Sequence, residues 1–353
     1  MKKYSSIIFL LVVALASFGQ SVPLQDLMTK YANQQHFNGT ILVQKEGKTI
    51  YHKSFGMANF QFSVPNANDT KYRIASITKL FTAVLIMQLK GEGKIDLKKT
   101  IKTYLPEYKG EGSDKVQVFH LLTATSGIES NEKEVNKSDD PVMYSKPYTT
   151  NELLNLFCSG KLENPPGKVW NYNNGDYVIL GKIIEAVCKK PYEEVLKEKI
   201  LQPLKMDHTG MFGMLKVIPG LADVYMVNDT TKSIEKLPPI YTENYYAAGG
   251  LYSNANDLLK FSNALYGGRL LSESDLQSVL QPYLSSYGFG IWVYDKIISN
   301  ETVKIAERQG AIWGIKTRLV RLLNKDVTII ILTNAQTANI DEVQSLLIEK
   351  LVK

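Results

Sequence analysis

The chain has 353 residues, of which 44% are hydrophobic, and 41 Lys and Arg against 35 Asp and Glu give a formal net charge of +6. The basic residues are scattered among acidic ones and form no block interleaved with aromatic residues, which argues against nucleic-acid binding. Four histidines and two cysteines, without a Cys-x-x-Cys pair, argue against a zinc site. We therefore expect neither a metal nor a cofactor.

The N-terminus has the pattern of a secretory signal peptide. Lysines at positions 2 and 3 precede an apolar core from Ile7 to Ala16, and the small residues Ser17 and Gly19 stand at the positions that determine cleavage. A retained membrane anchor is the alternative, but the apolar run is short for a bilayer span. The sequence predicts that residues 1–19 are removed, that no stable membrane span remains, and that the protein is periplasmic or secreted.

Strand patterns occur near both ends of the remaining chain, and helical patterns dominate its middle. Apolar and polar residues alternate from Phe37 to Tyr51 around Gly47, which predicts two strands joined by a turn. In the middle region the clearest predicted helices are Leu153 to Phe157, Tyr177 to Val187 and Tyr192 to Ile200. Near the C-terminus the predicted elements are strands at Phe289 to Tyr294, Lys316 to Leu323 and Val327 to Leu332, then a helix from Ile340 to Val352.

This order predicts an α+β fold for residues 20–353. The terminal segments, about 24–95 and 245–353, are expected to form one antiparallel sheet flanked by helices. A mostly helical subdomain, about 96–244, is expected to be inserted between them. A cleft at the seam of two such parts is a common place for a functional site.

A serine and a lysine three residues apart, Ser76 and Lys79, lie on one face of a predicted helix. In a dry site such a lysine can lose its proton and activate the serine without a histidine. Ser130/Lys133 and Ser233/Lys236 have the same spacing, but they lie in polar surroundings where a lysine stays solvated. The residues after Ser76 are apolar almost all round the helix, which predicts burial: Ile77, Leu80, Phe81, Val84, Leu85, Ile86 and Leu89.

The segment from Trp170 to Tyr177 offers the other groups that such a serine needs. Tyr172 can relay a proton, particularly where a nearby ammonium lowers its pKa. The amide of Asn174 can contact both the substrate and the lysine. The alternative is an ordinary polar loop whose tyrosine packs before the following helix.

Together these motifs resemble the serine β-lactamase and penicillin-binding-protein superfamily, in its class C β-lactamase-like branch. The resemblance covers roughly residues 30 to 350. Further segments agree with that family in the same order along the chain: His120 to Ile128, Pro166-Gly167, Ile200 to Met206, Ala248 to Ser253 and Tyr287 to Gly290.

The resemblance implies a third element, a strand that carries Lys-Thr-Gly or His-x-Gly across the cleft. Here the corresponding residues are Arg308, Gln309 and Gly310, followed by Ala311. The glycine is expected to let the substrate lie against the backbone, and the cation to attract a substrate carboxylate. Arginine keeps the charge but practically never gives up its proton, so a proton-transfer role at that position is not expected.

The function implied by the resemblance is a serine hydrolase that forms an acyl-enzyme on a small amide or ester. D-amino-acid peptides, peptidoglycan fragments, β-lactams and esters are all substrates of this type, and the departure at Arg308 disfavours antibiotic resistance. In this interpretation the amides of Ser76 and Ala311 hold the oxyanion, and Tyr172 protonates the leaving group. Whether Lys79 or Tyr172 is the general base stays open.

A second hypothesis is a catalytically weak or silent binding protein that uses the same cleft. The altered pair Arg308-Gln309 favours it, and the joint presence of the Ser-x-x-Lys and Tyr-x-Asn motifs argues against it. An α/β-hydrolase is disfavoured because the chain has no Gly-x-Ser-x-Gly pattern. Whether Cys158 and Cys188 form a disulfide also stays open.

Overall fold

A computed structural model describes residues 24–129, 142–144, 146–228, 230–231, 233–237 and 240–352. The predicted signal peptide and the Ser130/Lys133 pair lie outside the described residues. Within the described part, no helix combines the length and the apolar character needed to cross a bilayer. No disulfide joins Cys158 and Cys188.

The strands of the described residues form one large sheet and three small ones. In chain order they are β1 (Gly39–Lys45), β2 (Lys48–Phe55), β3 (Met57–Asn59), β4 (Val64–Pro65), β5 (Tyr72–Arg73), β6 (Gly210–Met211), β7 (Tyr225–Val227), β8 (Ile234–Lys236), β9 (Leu251–Ser253), β10 (Trp292–Ile298), β11 (Glu301–Ile312), β12 (Ile315–Leu322) and β13 (Val327–Thr333).

The large sheet joins the two ends of the chain. Its six strands follow the order β10-β11-β12-β13-β1-β2, and every neighbouring pair is antiparallel. Gly39 of β1 pairs with Thr333 of β13, and Lys45 pairs with Val327. This confirms the predicted α+β fold with an antiparallel sheet built from N- and C-terminal segments.

The helices cover both faces of that sheet. In chain order they are α1 (24–35), α2 (Thr78–Gly91), α3 (Ile101–Tyr104), α4 (Val118–Leu122), α5 (Thr150–Phe157), α6 (Asn174–Cys188), α7 (Tyr192–Leu196), α8 (Tyr246–Gly249), α9 (Ala255–Tyr266), α10 (Glu273–Leu280) and α11 (Ile340–Val352). A π-helical turn, Lys197–Leu201, continues α7, and 3₁₀ turns occur at Ala75–Ile77, Val142–Tyr144, Thr242–Tyr245 and Leu284–Ser286.

The large sheet lies between two hydrophobic cores, and strand β13 contributes side chains to both. All seven of its residues are buried, because both faces of the sheet are covered there. Ile330 and Leu332 belong to the larger core, which includes the apolar residues of α2. Ile329 and Ile331 belong to the second core, together with residues of α1 and α11. Helix α2 is therefore buried between the sheet and the helices of the middle region, as its apolar sequence predicts.

Several boundaries differ from the predicted ones for local reasons. Helix α6 begins at Asn174, earlier than predicted, because the Asn173 side chain accepts a hydrogen bond from the N–H of Gly175 at 2.8 Å and caps the helix. Strand β10 begins at Trp292 rather than Phe289. Strand β11 was expected only from the family resemblance, at Arg308 to Gly310, and helices α9 and α10 were not predicted.

Candidate active site

Ser76 lies in the 3₁₀ turn between strand β5 and helix α2. The residue before it, Ala75, has φ +49°, a left-handed conformation that a residue with a Cβ rarely adopts. The Thr78 side chain stabilises this turn. Its Oγ1 donates to the carbonyl of Ala75 at 2.7 Å and accepts from the N–H of Leu251 at 3.2 Å. Ser76 remains partly exposed at the N-terminal end of α2, where the helix dipole stabilises negative charge.

Lys79, one helical turn later, is fully buried and points back to the serine. Its Nζ lies 3.3 Å from Ser76 Oγ and donates to the carbonyl oxygen of Ala248 at 2.8 Å. Nζ also contacts Oδ1 of Asn174, the first residue of α6. These two oxygens only accept hydrogen bonds, so they fix the position of the amine next to the serine.

The phenolic oxygen of Tyr172 lies near three polar side chains. Arg308 Nη2 donates a hydrogen bond to it at 2.5 Å, and Lys79 and Ser76 are close enough to favour its ionised form. Burial of the phenol opposes its ionisation, but the charges of Arg308 and Lys79 and these polar contacts outweigh that effect. The pKa of Tyr172 is lowered to about 8. Tyr172 can therefore become a tyrosinate close to neutral pH.

Arg308 is enclosed by the protein rather than presented to the cleft. Its side chain is 1% exposed, Nε donates to the carbonyl of Ser76 at 2.6 Å, and Nη1 donates to the Tyr287 hydroxyl at 3.0 Å. The guanidinium carbon also lies 5.0 Å from the centre of the Trp292 ring. With Nη2 on Tyr172, this geometry does not support the expectation that Arg308 attracts a substrate carboxylate.

Gly310 brings strand β11 against the turn that carries the serine. A Cβ at Gly310 would lie 2.4 Å from the carbonyl oxygen of Ile74 and 2.2 Å from Thr317 Oγ1. Thr317 Oγ1 in turn donates to that same carbonyl at 3.0 Å. The glycine is required by the approach of two parts of the protein, a different reason from the expected contact between substrate and backbone.

The N–H of Ala311 points to the open edge of β11. A two-residue turn joins β11 to β12, so Ile312 forms a hydrogen-bonded pair with Ile315, and Gly310 forms the next one with Thr317. Ala311 lies between these two pairs, and its N–H therefore points away from β12. Pairing with β10 on the other edge has already ended at Glu307. This is the arrangement that a second oxyanion donor beside Ser76 requires. The side chains of Gln309 and Ala311 are exposed.

A family model described as Beta-lactamase matches residues 24–351. The chain belongs to the Beta-lactamase family. It is 28% identical over 285 residues to the putative penicillin-binding protein PbpX of Bacillus subtilis (strain 168), an alignment that covers 80% of this chain and 69% of that protein. It is also 28% identical over 267 residues to teichoic acid D-alanine hydrolase of Staphylococcus aureus, which covers 75% of this chain and 62% of that protein.

A solved structure supports the same assignment. The penicillin binding protein from Bacillus halodurans matches with a TM-score of 0.77 and 26% sequence identity, over 90% of this chain and 98% of that chain. The resemblance to this family and the fold class are therefore confirmed. The chain is a serine hydrolase of the Beta-lactamase family, whereas the roles of its individual site residues stay predictions.

The structure brings most of the predicted site residues of this hydrolase together. Through the contacts given above, four of them lie close together: Ser76, Lys79, Tyr172 and Asn174. The Ser233/Lys236 pair does not resemble this site, since Lys236 is half exposed and pairs with Asp223 at 3.3 Å on the surface. This confirms the prediction that Lys236 lies in polar surroundings.

Some residues of the site were not predicted. The carbonyl of Ala248 and the hydroxyl of Tyr287 lie in segments that resemble the family, but a backbone carbonyl or a packed tyrosine has no signature of its own in the sequence. Trp292 stacks on Tyr172 with ring centres 6.1 Å apart. Together with Arg308, Tyr287 and Trp292 hold the Tyr172 phenol in place.

Asp176, on the first turn of α6, is a fully buried carboxyl group near the site. Burial raises its pKa well above the usual range, and the charge of Lys79 opposes this only in part. This environment favours the neutral form of Asp176, which does not balance the positive charges of Lys79 and Arg308. Tyr172 can balance part of that charge when it is a phenolate.

Proposed function

We propose that this serine hydrolase uses Ser76 as its nucleophile and cleaves small D-amino-acyl esters and amides of the cell envelope through an acyl-enzyme. The observation that carries the proposal is that Lys79 Nζ lies 3.3 Å from Ser76 Oγ while Arg308 Nη2 donates to the oxygen of Tyr172, whose pKa is lowered beside them. A serine hydroxyl next to a phenol of lowered pKa has a general base at hand.

In the first half of the reaction, the Ser76 hydroxyl proton passes to the Tyr172 oxygen and Oγ bonds to the substrate carbonyl carbon. The resulting oxyanion is stabilised by the N–H groups of Ser76 and Ala311 and by the dipole of α2. The phenol then gives its proton to the leaving amine or alcohol as the scissile bond breaks. Lys79 stays protonated throughout, and its charge keeps Tyr172 ready to accept a proton.

The second half repeats these steps with water. Tyr172 takes a proton from the attacking water, whose oxygen bonds to the acyl carbon, and returns the proton to Ser76 Oγ as the ester bond to the serine breaks. Arg308 takes no part in proton transfer, because arginine stays protonated. It holds the phenolate by charge and holds the serine turn by its bond to the Ser76 carbonyl.

The burial of Arg308 bears on the substrate. Since Nε, Nη1 and Nη2 all donate to groups of the protein, this guanidinium does not provide a cation for a carboxylate on the leaving group. Esters and amides without that carboxylate fit such a cleft. A similar relative, the teichoic acid D-alanine hydrolase, has a name that points to D-alanine bound to a polymer. A location in the envelope is part of the proposal and rests on residues 1–19.

A covalent probe tests the nucleophile. A fluorophosphonate is expected to add once to the wild type and not to Ser76→Ala, as read from the intact mass. Ser233→Ala is the matched control, because Ser233 has a lysine at the same spacing on the surface, and it should label like the wild type. A wild type that takes up no probe, as expected of a silent binding protein, would overturn the proposal. An adduct that persists in Ser76→Ala would show a different nucleophile.

A matched pair of peptides tests the substrate class. D-alanyl-D-alaninamide and D-alanyl-D-alanine differ only in the carboxylate of the leaving group, and kcat/KM is measured for both by release of the C-terminal residue. We expect the amide to be cleaved at least as fast as the free acid, since the buried Arg308 does not reach that carboxylate. A preference of about tenfold or more for the free acid would contradict this prediction.

A further inference from the structure

Trp313 is a large aromatic residue left 37% exposed at the tip of the hairpin between β11 and β12. It follows Ala311, the proposed oxyanion donor, by two residues. The tip is firmly seated, because a Cβ on Gly314 would lie 2.5 Å from the carbonyl oxygen of Tyr225 and 2.7 Å from Val224 Cγ1. Trp313 is thus held at a fixed hairpin tip, two residues beyond Ala311.

The Trp313 ring is the first of three aromatic rings that pack against one another in series. Its ring meets Tyr144 edge to face, with centres 5.5 Å apart, and Tyr144 stacks on Tyr245 at 4.5 Å. Tyr144 is buried behind the other two, while Tyr245 is half-buried. We call Trp313, Tyr144 and Tyr245 the aromatic wall.

Hydrogen bonds between backbone segments hold the wall together. Asn244 Nδ2 donates to the carbonyl of Met143 at 2.6 Å, and the N–H of Tyr241 donates to the carbonyl of Tyr144 at 2.9 Å. Glu243, two residues before Tyr245 in the same 3₁₀ turn, accepts from the N–H of Met214 through Oε1 at 3.1 Å. The surface of the wall is therefore rigid and aromatic.

The wall begins beside the nucleophile. Tyr245 packs against a small apolar cluster that contains Ala75, the residue before Ser76, together with Val224 and Ile312. The aromatic surface therefore runs from the serine turn to the tip of the hairpin.

The direction of the substrate follows from the proton donor. The leaving group must lie next to Tyr172, which is hydrogen-bonded to Arg308. The carbonyl oxygen lies at the N–H of Ala311, farther along the same strand. The rest of the acyl group then extends away from Tyr172, past Ala311, to Trp313.

We propose that the aromatic wall is a subsite for an apolar, preferably aromatic, side chain on the acyl half of the substrate. This inference rests on the proposed function, since it takes Ser76 as the nucleophile and Ala311 as the oxyanion donor. A D-phenylalanyl group satisfies it, because its ring can lie on Trp313 and Tyr245 while its carbonyl meets Ser76. A D-alanyl group leaves the wall unfilled.

The test compares the methyl esters of D-phenylalanine and D-alanine, which share one leaving group. We expect Trp313→Ala to lower kcat/KM for the phenylalanine ester about fivefold and to leave the alanine ester nearly unchanged. Trp313→Phe should restore most of the preference, because it keeps an aromatic surface. Phe62→Ala, which removes an aromatic residue 79% exposed on the turn between β3 and β4, is the control and should change neither ester.

If Trp313→Ala lowers kcat/KM equally for both esters, the subsite proposal is overturned, because Trp313 then affects the active site in general. An unchanged preference in Trp313→Ala would overturn it too. Binding of both esters is also measured in Ser76→Ala by saturation-transfer NMR, with and without Trp313→Ala. If the wild type turns over neither ester but the phenylalanine ester binds in a Trp313-dependent way, the proposed function fails and the subsite stands. If no binding depends on Trp313, the subsite fails.

Discussion

Replacing Lys79 with methionine is expected to lower kcat/KM on D-alanine methyl ester by about a thousandfold while the protein stays folded. Methionine has a similar length but no amine, so Ser76 Oγ loses its neighbour at 3.3 Å and Tyr172 loses a cation that lowers its pKa. Because the side chain is fully buried, methionine fills its volume with apolar atoms, while the carbonyl of Ala248 and Oδ1 of Asn174 lose this donor. The measurements are steady-state kinetics and a thermal unfolding curve.

The chain supplies a matched control for this substitution. Lys236 stands three residues after Ser233, at the same spacing, but it forms a surface ion pair with Asp223. Surface ion pairs contribute little to stability, so Lys236→Met should retain kcat/KM within about twofold and unfold at nearly the same temperature. A folded Lys79→Met variant with more than about a tenth of wild-type activity would contradict the assigned role.

The terminal elements were predictable because their burial follows simple patterns. The closing helix was predicted from Ile340 to Val352, and α11 has these bounds. Strand β13 is mostly apolar, apart from Thr328 and Thr333, because it is covered on both faces. Strands β1 and β2 were predicted from alternation around Gly47, which takes the left-handed conformation of a tight turn (φ +74°).

Strand β11 could not be predicted from periodicity, because it buries two charged residues in succession. Glu307 faces one side of the sheet, where Tyr294 and Gln344 donate to its carboxylate at 2.6 and 2.9 Å. Arg308 faces the other side, toward Tyr172. Charged residues are usually exposed, so a pattern of apolar burial does not detect a strand whose central pair is held by partners distant in the chain.

The sequence predicted which residues would come together at the candidate site, but not how they are arranged. Ser76 and Lys79 follow from helical spacing, and Tyr172 from the chemistry that such a pair needs. The sequence could place Arg308 only at the third motif, where a cation is expected to face the substrate. Its inward orientation depends on Tyr287 and on the carbonyl of Ser76, which lie on other elements and meet it only in the folded protein.

Replacing Tyr172 with phenylalanine is expected to lower kcat/KM about a thousandfold and to remove a specific feature of the pH profile. In the wild type the active form of the phenol is the deprotonated one. Activity should therefore fall about tenfold per unit as the pH decreases below the pKa of about 8, and level off above it. The residual activity of Tyr172→Phe should lack this dependence. The measurement is kcat/KM from about pH 6 to pH 10.

The charge at position 308 is expected to set the pH at which kcat/KM rises. Arg308→Met removes a cation that lowers the pKa of Tyr172, while burial continues to raise it, so the midpoint of the profile should move upward from about 8. Arg308→Lys keeps the charge in the same pocket and should leave the midpoint near 8, although the bonds to Tyr287 and to the Ser76 carbonyl are weakened. A midpoint that stays at the wild-type value in Arg308→Met would show that Arg308 does not tune the phenol. A wild-type profile without a rise near 8 would show that Tyr172 is not the base, and Lys79 would then be the remaining candidate.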